Sequence, residues 1–83
     1  MRMVAVRLPD EAWVGVDAGT EALMERWLVA EGAQVRKGQA IAEIVLVKTN
    51  MQIEAPSGGV LSRILVPEDG TFGPEQVLAE IVD

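Results

Sequence analysis

The chain contains an internal repeat: two 21-residue segments align without a gap at a constant offset of 37 residues. Residues 24–44 read MERWLVAEGAQVRKGQAIAEI, and residues 61–81 read LSRILVPEDGTFGPEQVLAEI. Eight of the 21 aligned positions are identical, and they include an arginine, two glutamates and a glutamine as well as apolar residues. Two copies are too few for an open repeat array, which needs at least about three. The repeat therefore predicts one domain built from two similar halves around a common core.

The repeat also bears on the secondary structure of residues 20–32. Taken alone, this segment resembles a capped helix, with Thr20 at its start, good helix formers inside and Gly32 at its end. The aligned segment of the second half, LSRILVPED, contains Pro67 and alternates in the manner of a strand. Because the two halves should share one fold, we predict a strand over residues 22–29, against the local helix propensity.

Glycine and proline interrupt the whole chain at short intervals. Short strands with turns about every 8–12 residues are typical of a β-sandwich or barrel, so we predict an all-β fold. Residues 10–20 are expected to form a surface loop anchored by Trp13. The strands are expected near residues 2–8, 13–16, 22–29, 33–36, 40–47, 50–55, 59–66 and 76–82.

The composition excludes several classes of function. There is no cysteine and no histidine, so the chain lacks disulfides, thiolate metal sites and the commonest general base, and its serines and threonines have no obvious activating partner. The net charge of −6 is the opposite of what a nucleic-acid-binding surface needs. No apolar run approaches the roughly 20 residues of a membrane span, and no signal peptide opens the chain. The sequence thus predicts one acidic, soluble, cytoplasmic domain over residues 1–83, with no membrane or nucleic-acid partner and no conventional catalytic apparatus.

A lysine stands at the boundary between the two halves, within the stretch IVLVKTNMQIE at residues 44–54. Apolar residues at every second position predict a hairpin here, and its register places the turn at residues 47–50, where an asparagine favours turns. Lys48 then lies at the tip of the hairpin, in water. A lysine in such a turn is most often only a solvated residue that discourages association of sheet edges. Lys48 is nonetheless one of only two lysines, with Lys37, and a projecting amine is the most useful chemical group in this chain.

These segments resemble the lipoyl/biotinyl attachment domain family, and most strongly the lipoyl domains of 2-oxo acid and acetoin-type dehydrogenase acyltransferase components. Members read roughly W-L-V-x-E-G-D-x-V-x-x-G-D, then L-A-E-V-E-T-D-K-A, then V-x-A-P-x-x-G. This chain has WLVAEG from Trp27, IAEI from Ile41, Lys48 at the attachment position and IEAP from Ile53, all in register without a gap. The triplet Lys-Thr-Asn is similar to the lysine-apolar-asparagine of some acetoin-type domains. The resemblance covers about residues 21–82.

The resemblance implies a flattened barrel or sandwich of two four-stranded sheets with pseudo-twofold symmetry, and a lysine at a hairpin tip. It implies that Lys48 carries lipoate in amide linkage and acts as a swinging arm between active sites, while the domain itself is non-catalytic. The implied partners are a thiamine-dependent decarboxylase, an acyltransferase core, a flavin-dependent dihydrolipoyl dehydrogenase and a lipoate ligase.

The sequence departs from the family pattern next to the lysine. Lipoyl domains commonly have acidic residues there, whereas this chain has Val45-Leu46-Val47, and the register places Val45 and Val47 on the outer face. Together with Thr49 and Asn50 these residues are the expected recognition neighbours of Lys48. Biotinyl domains usually have methionine on both sides of the lysine, which this chain also lacks. Two alternatives therefore stay open: a biotinyl carrier domain of a carboxylase, with biotin on Lys48, and an unmodified adaptor of the same fold.

Overall fold

The computed structural model describes residues 2–83, and nearly all of its regular structure is β. Within these residues there are eight strands and one short 3-10 helix, which spans Asp10–Trp13. The strands are β1 (Met3–Val6), β2 (Ala22–Trp27), β3 (Gln34–Val35), β4 (Ala40–Leu46), β5 (Thr49–Glu54), β6 (Gly59–Ile64), β7 (Thr71–Phe72) and β8 (Ala79–Val82). No helix in the described part of the chain is long and apolar enough to cross a membrane.

The strands form two four-stranded antiparallel sheets that enclose one core. One sheet has the order β1-β8-β6-β3, and the other has the order β5-β4-β2-β7. Inward-facing side chains of both sheets form a single cluster that contains no polar or charged residue. Its largest fully buried members are Phe72, Met24, Ile41, Ile44, Ile53, Leu61, Leu78, Ile81 and Val6. The predicted all-β sandwich of two four-stranded sheets is confirmed.

The 37-residue offset recurs in the hydrogen bonds of the two halves. In the first half the Gln39 side chain accepts a hydrogen bond from the Arg36 backbone N–H at 2.9 Å. In the second half Gln76 accepts the equivalent bond from the Gly73 N–H at 3.3 Å. The identical glutamines of the repeat therefore close equivalent turns, and such local bonds satisfy backbone donors that no strand partner reaches.

The identical glutamates of the repeat connect the two halves to each other. Glu68 accepts a hydrogen bond from the Trp27 backbone N–H at 3.1 Å, and Glu31 accepts one from the Ile64 N–H at 2.7 Å. Trp27 and Ile64 are themselves equivalent positions of the repeat. A glutamate of each half thus accepts a hydrogen bond from a backbone N–H at the end of a strand in the other half. These side-chain contacts follow the pseudo-twofold symmetry.

Positions where the repeat loses identity include two that have unusual backbone conformations. Gly32 and Gly38 have φ values of 91° and 86°, and the equivalent Asp69 and Glu75 both have a φ of 69°. The turns are therefore preserved although only the first half has glycine at these two positions, where glycine adopts this region without steric cost.

The strand predicted over residues 22–29 is confirmed as β2 despite its helix-like composition, although the strand ends at Trp27. Ala22 and Met24 are fully buried while Leu23 faces outward, and a bulge between Met24 and Arg26 ends the strict alternation. Pairing with β4 on one side and β7 on the other overrides the local helix propensity, since tertiary context outweighs this weak preference.

One predicted strand is absent from the structure, and one strand of the structure was not predicted. Residues 13–16 form no strand, because Trp13 ends the 3-10 helix and a turn follows it. The short β7 at Thr71–Phe72 was not predicted, although it is the equivalent of β3, because Gly70 and Gly73 on its flanks look like turn residues. The last strand begins at Ala79 rather than at residue 76.

The loop between β1 and β2 is anchored by Trp13, as predicted. The Trp13 ring packs edge-on against Phe72 of β7, with 6.3 Å between ring centroids and 81° between ring planes. This T-shaped geometry is a favoured arrangement of two aromatic rings. The contact fixes a long loop to the edge of the sheet that carries the β4–β5 hairpin.

Candidate attachment site

Lys48 lies in the turn of the hairpin formed by β4 and β5. The two strands pair from Ala42 opposite Ile53 up to Leu46 opposite Thr49, so that only Val47 and Lys48 remain to connect them. The turn was predicted to span residues 47–50, and this was wrong in length. Asn50 belongs to β5, where it pairs with Val45, and Thr49 is the first residue of that strand.

The backbone of the turn is strained at the residue before the lysine. Val47 has a φ of 61°, in the left-handed region that β-branched residues rarely adopt. A two-residue hairpin loop with positive φ at its first central residue alone follows the type II′ pattern, which normally has glycine there. The continuous pairing of β4 with β5 imposes this conformation, because both strands are held up to the last pair before the turn.

The Lys48 side chain is exposed, as predicted. Among residues 2–83 the ion pairs within 4.0 Å are Arg2–Asp83 and Arg26–Glu43, so the Lys48 amine has no carboxylate partner there. An uncommitted primary amine at a hairpin tip is accessible to an enzyme that acylates it, and acylation removes its positive charge.

Buried side chains beneath the turn hold the hairpin in place. Ile44 and Leu46 of β4 and Ile53 of β5 are at most 2% exposed and belong to the common core. The predicted inward face of the hairpin is therefore confirmed. A lysine on such a base is presented by a rigid element rather than by a mobile loop.

The outer face near the turn is apolar. Val45 pairs with Leu23 of β2 on one side and with Asn50 on the other, and these three residues form one row across the sheet. Leu23 is 37% exposed, Val47 is 66% exposed and Val45 is half-buried. We call Leu23, Val45 and Val47 the apolar strip. Val45 and Val47 were predicted on the outer face; the register places Val45 there, and Val47 lies exposed in the turn next to it. Leu23 was missed because only the strand register brings it beside Val45.

The next row away from the turn is charged. Arg26 Nε donates to Glu43 Oε1 at 2.6 Å, and Gln52 Nε2 donates to Glu43 Oε2 at 3.5 Å. The hydrogen bond from Arg26, followed by that from Gln52, lowers the pKa of the Glu43 carboxyl. The same bond to Glu43 raises the pKa of the Arg26 guanidinium. The outer face thus changes from apolar to ionic within one row.

The depression nearest the turn is small and polar. Its volume is about 160 Å³, and the side chains around it are mostly carboxylates and amides: Glu25, Glu43, Asn50, Met51 and Gln52. No group of three or more potential metal-ligating side chains occurs within residues 2–83. The chemical feature that this end of the sheet presents is the lysine amine.

Comparison with known proteins agrees with this geometry. The model of the biotin/lipoyl family, described as "Biotin-requiring enzyme", matches residues 5–81. The chain therefore belongs to the biotin/lipoyl attachment family, in which a two-sheet sandwich displays a modifiable lysine.

Within that family the similarity is to lipoyl domains. The chain is 36% identical over 63 residues to the dihydrolipoyllysine-residue acetyltransferase component of the pyruvate dehydrogenase complex of Rickettsia felis, covering 76% of this chain. It is 33% identical over 64 residues to the corresponding component of the acetoin cleaving system of Pseudomonas putida, covering 77% of this chain. These alignments span only 15% and 17% of the two relatives. The solution structure of the lipoyl domain of the 2-oxoglutarate dehydrogenase complex from Azotobacter vinelandii has the same fold, with a TM-score of 0.77, 19% identity and 96% coverage of both chains.

Proposed function

We propose that this domain carries lipoate in amide linkage on Lys48 and presents it to the active sites of a 2-oxo acid or acetoin dehydrogenase complex. The observation that carries the proposal is an exposed, unpaired lysine in the two-residue turn of a core-anchored hairpin, in a chain of the biotin/lipoyl family. The relatives named above are components of such complexes, and both of their names specify dihydrolipoyllysine. This supports lipoate over biotin.

The residues around Lys48 fit such a group. The amine projects away from the core, and its flanks are apolar and hydroxyl side chains rather than acids that would hold it in an ion pair. Lipoate, once attached, supplies a disulfide that accepts electrons and an acyl group. The hairpin supplies a fixed tether point, and its neighbours Val45, Val47, Thr49 and Asn50 supply the surface that a modifying ligase recognises.

The domain itself is proposed to be non-catalytic. The chemistry is left to partners that act on the arm: a thiamine-dependent decarboxylase, an acyltransferase core and a flavin-dependent dihydrolipoyl dehydrogenase. In cofactor systems of this kind the protein contributes binding and orientation, while the cofactor contributes the reaction.

The test is the intact mass of the chain after co-expression with a lipoate ligase or, separately, with a biotin ligase. We expect the mass of one lipoyl group with the lipoate ligase, mapped to Lys48 by proteolysis. Lys48→Arg should abolish the added mass, whereas the matched variant Lys37→Arg should retain it in full. Mass added only by the biotin ligase would assign the chain to the carboxylase carriers, and no added mass with either ligase would favour an unmodified adaptor.

A further inference from the structure

We propose that the apolar strip of Leu23, Val45 and Val47 is a resting site for the acylated arm of Lys48. The inference rests on the proposed acylation of that lysine. The arm would lie back along the outer face of β4 and β2 between encounters with partner enzymes. The strip would thereby shield the apolar part of the arm from water.

The strip lies within reach of the arm. Val47 immediately precedes Lys48, and Val45 lies three residues before it, which is about 10 Å along an extended strand. Leu23 is the direct cross-strand partner of Val45, so their Cβ atoms are about 4.5–5.5 Å apart. A lysine side chain lengthened by an octanoyl-type chain extends far enough to contact all three residues.

The strip is small, and its size favours a tethered occupant. A stable protein interface buries about 800 Å² on each partner, and three partly exposed side chains present far less than that. A tethered chain needs no such area. Its binding is intramolecular, so the high effective concentration lowers the entropy cost of association. The strip therefore suits a small apolar group attached nearby better than it suits a protein by itself.

The acylated lysine matches the strip in charge and polarity, whereas the free lysine does not. The free lysine amine is a cation, and contact with valine and leucine does not stabilise it. Acylation neutralises the amine and adds methylene groups that can pack on these side chains. On the other side of Val45 the depression is lined mainly by carboxylate and amide side chains, with Met51 as its one apolar side chain, and so matches an apolar chain less well than the strip does. The strip is thus the surface beside the turn that matches the arm after modification and not before it.

The molecule contains an internal control for this inference. The pseudo-twofold relation places Val82 and Val60 in the second half where Val45 and Leu23 stand in the first. They pair with each other on the outer face of the other sheet, in one row with Met3. That row is equally apolar, but Lys48 belongs to the other sheet, so Val60 and Val82 should not respond to the arm.

The experiment compares Lys48 acylated with an octanoyl group and Lys48 acylated with an acetyl group, both installed chemically on the Lys37→Arg variant after its α-amino group has been blocked, and verified by mass mapping. Both groups remove the charge, but only octanoyl provides a chain. Methyl NMR should show shift changes and cross-relaxation between the chain and Leu23, Val45 and Val47 in the octanoyl form alone. The methyl groups of Val60 and Val82 should be the same in both forms.

Substitution of the strip supplies the second readout. The double variant Leu23→Thr with Val45→Thr should lower the population of the arm bound to the strip relative to the free arm. The expected decrease is about fourfold for each methyl or methylene group removed from the contact. The control pair Val60→Thr with Val82→Thr should leave that ratio unchanged. Identical methyl spectra for octanoyl and acetyl forms, or equal responses of the two variant pairs, would overturn the inference. Because the acylation is chemical, these outcomes are independent of whether a ligase modifies Lys48, which is the separate test of the proposed function.

Discussion

At the scale of single residues, Val47 and Lys48 make different contributions to the turn. Lys48 offers the reactive amine, while Val47 adopts the left-handed backbone conformation that a two-residue connection requires. A β-branched side chain is poorly suited to that conformation, so the turn is maintained by the strands rather than by its own residues. Strain of this kind at the residue before Lys48 restricts the direction in which the amine projects from the hairpin.

Replacing Val47 with glycine tests where this strain lies. Val47→Gly should raise the free energy of unfolding by about 1 kcal/mol. A side chain in the left-handed region costs about 1–2 kcal/mol, and the larger entropy that glycine loses on folding offsets part of this gain. In a domain of this size the melting temperature should then rise by about 4–8 °C. The matched change Val45→Gly, in the middle of β4, should lower the melting temperature. A lower melting temperature for Val47→Gly as well would show that the turn is not strained.

The ion pair beside the apolar strip belongs to the same scale and predicts a pH dependence. The pKa of Glu43 is lowered in the folded chain, so its pairing stabilises the fold above the unfolded-state pKa and loses this effect as pH falls through the folded-state pKa. Glu43→Gln should therefore be less stable than the parent at neutral pH, and the difference should vanish in acid. Both partners are solvent-accessible, so the difference should be small.

Thermal unfolding across the acid range measures this effect. Glu80→Gln is the matched control, since Glu80 is the repeat equivalent of Glu43 and pairs in register with Arg63, yet forms no ion pair within 4.0 Å in residues 2–83. If Glu43→Gln and Glu80→Gln show the same pH dependence, the Arg26 contact is not the cause.

At the scale of elements, each half of the repeat completes the other. Glu31 and Glu68 bind backbone donors across the pseudo-twofold axis, and Gln39 and Gln76 close equivalent turns within their own halves. The polar identities in the repeat therefore include residues with a structural function. The lysine, by contrast, lies outside the aligned segments and has no counterpart.

Removing either of the two glutamates that connect the halves should destabilise the domain. Glu31→Ala and Glu68→Ala should each lower the free energy of unfolding by about 1 kcal/mol, since each leaves a backbone donor without its partner. Urea denaturation of both variants, with the exposed Glu21→Ala as control, measures this. Losses confined to one of the two positions would contradict the symmetric role.

At the scale of the whole molecule, charge and shape are those of a small presentation module. The chain carries a net charge of −6, and its longest dimension is 37 Å against 20 and 18 Å for the others. Under the proposed function, a field of that sign is expected to steer the domain toward basic surfaces on partner enzymes. The contact inferred between the apolar strip and the arm is, by contrast, one that salt does not screen.

Salt should separate these two contributions. For the lipoylated domain as substrate of a thiamine-dependent decarboxylase, kcat/KM should fall roughly tenfold between low and high salt, because steering is screened beyond a Debye length. Leu23→Thr with Val45→Thr should leave the slope of this salt dependence unchanged. A kcat/KM that does not respond to salt would mean that net charge plays no part in recognition.

The sequence by itself determined the two-half architecture, the presence of a strand that begins at Ala22 and the exposed lysine between the halves. These follow from a gapless repeat and from period-two apolar patterns, which are local signals that survive folding. The tertiary structure alone decided the length of the turn, the strand at Thr71–Phe72 and the place of Leu23 beside Val45. Each depends on which strands are neighbours and in what register, and backbone pairing between distant segments leaves no mark in local composition.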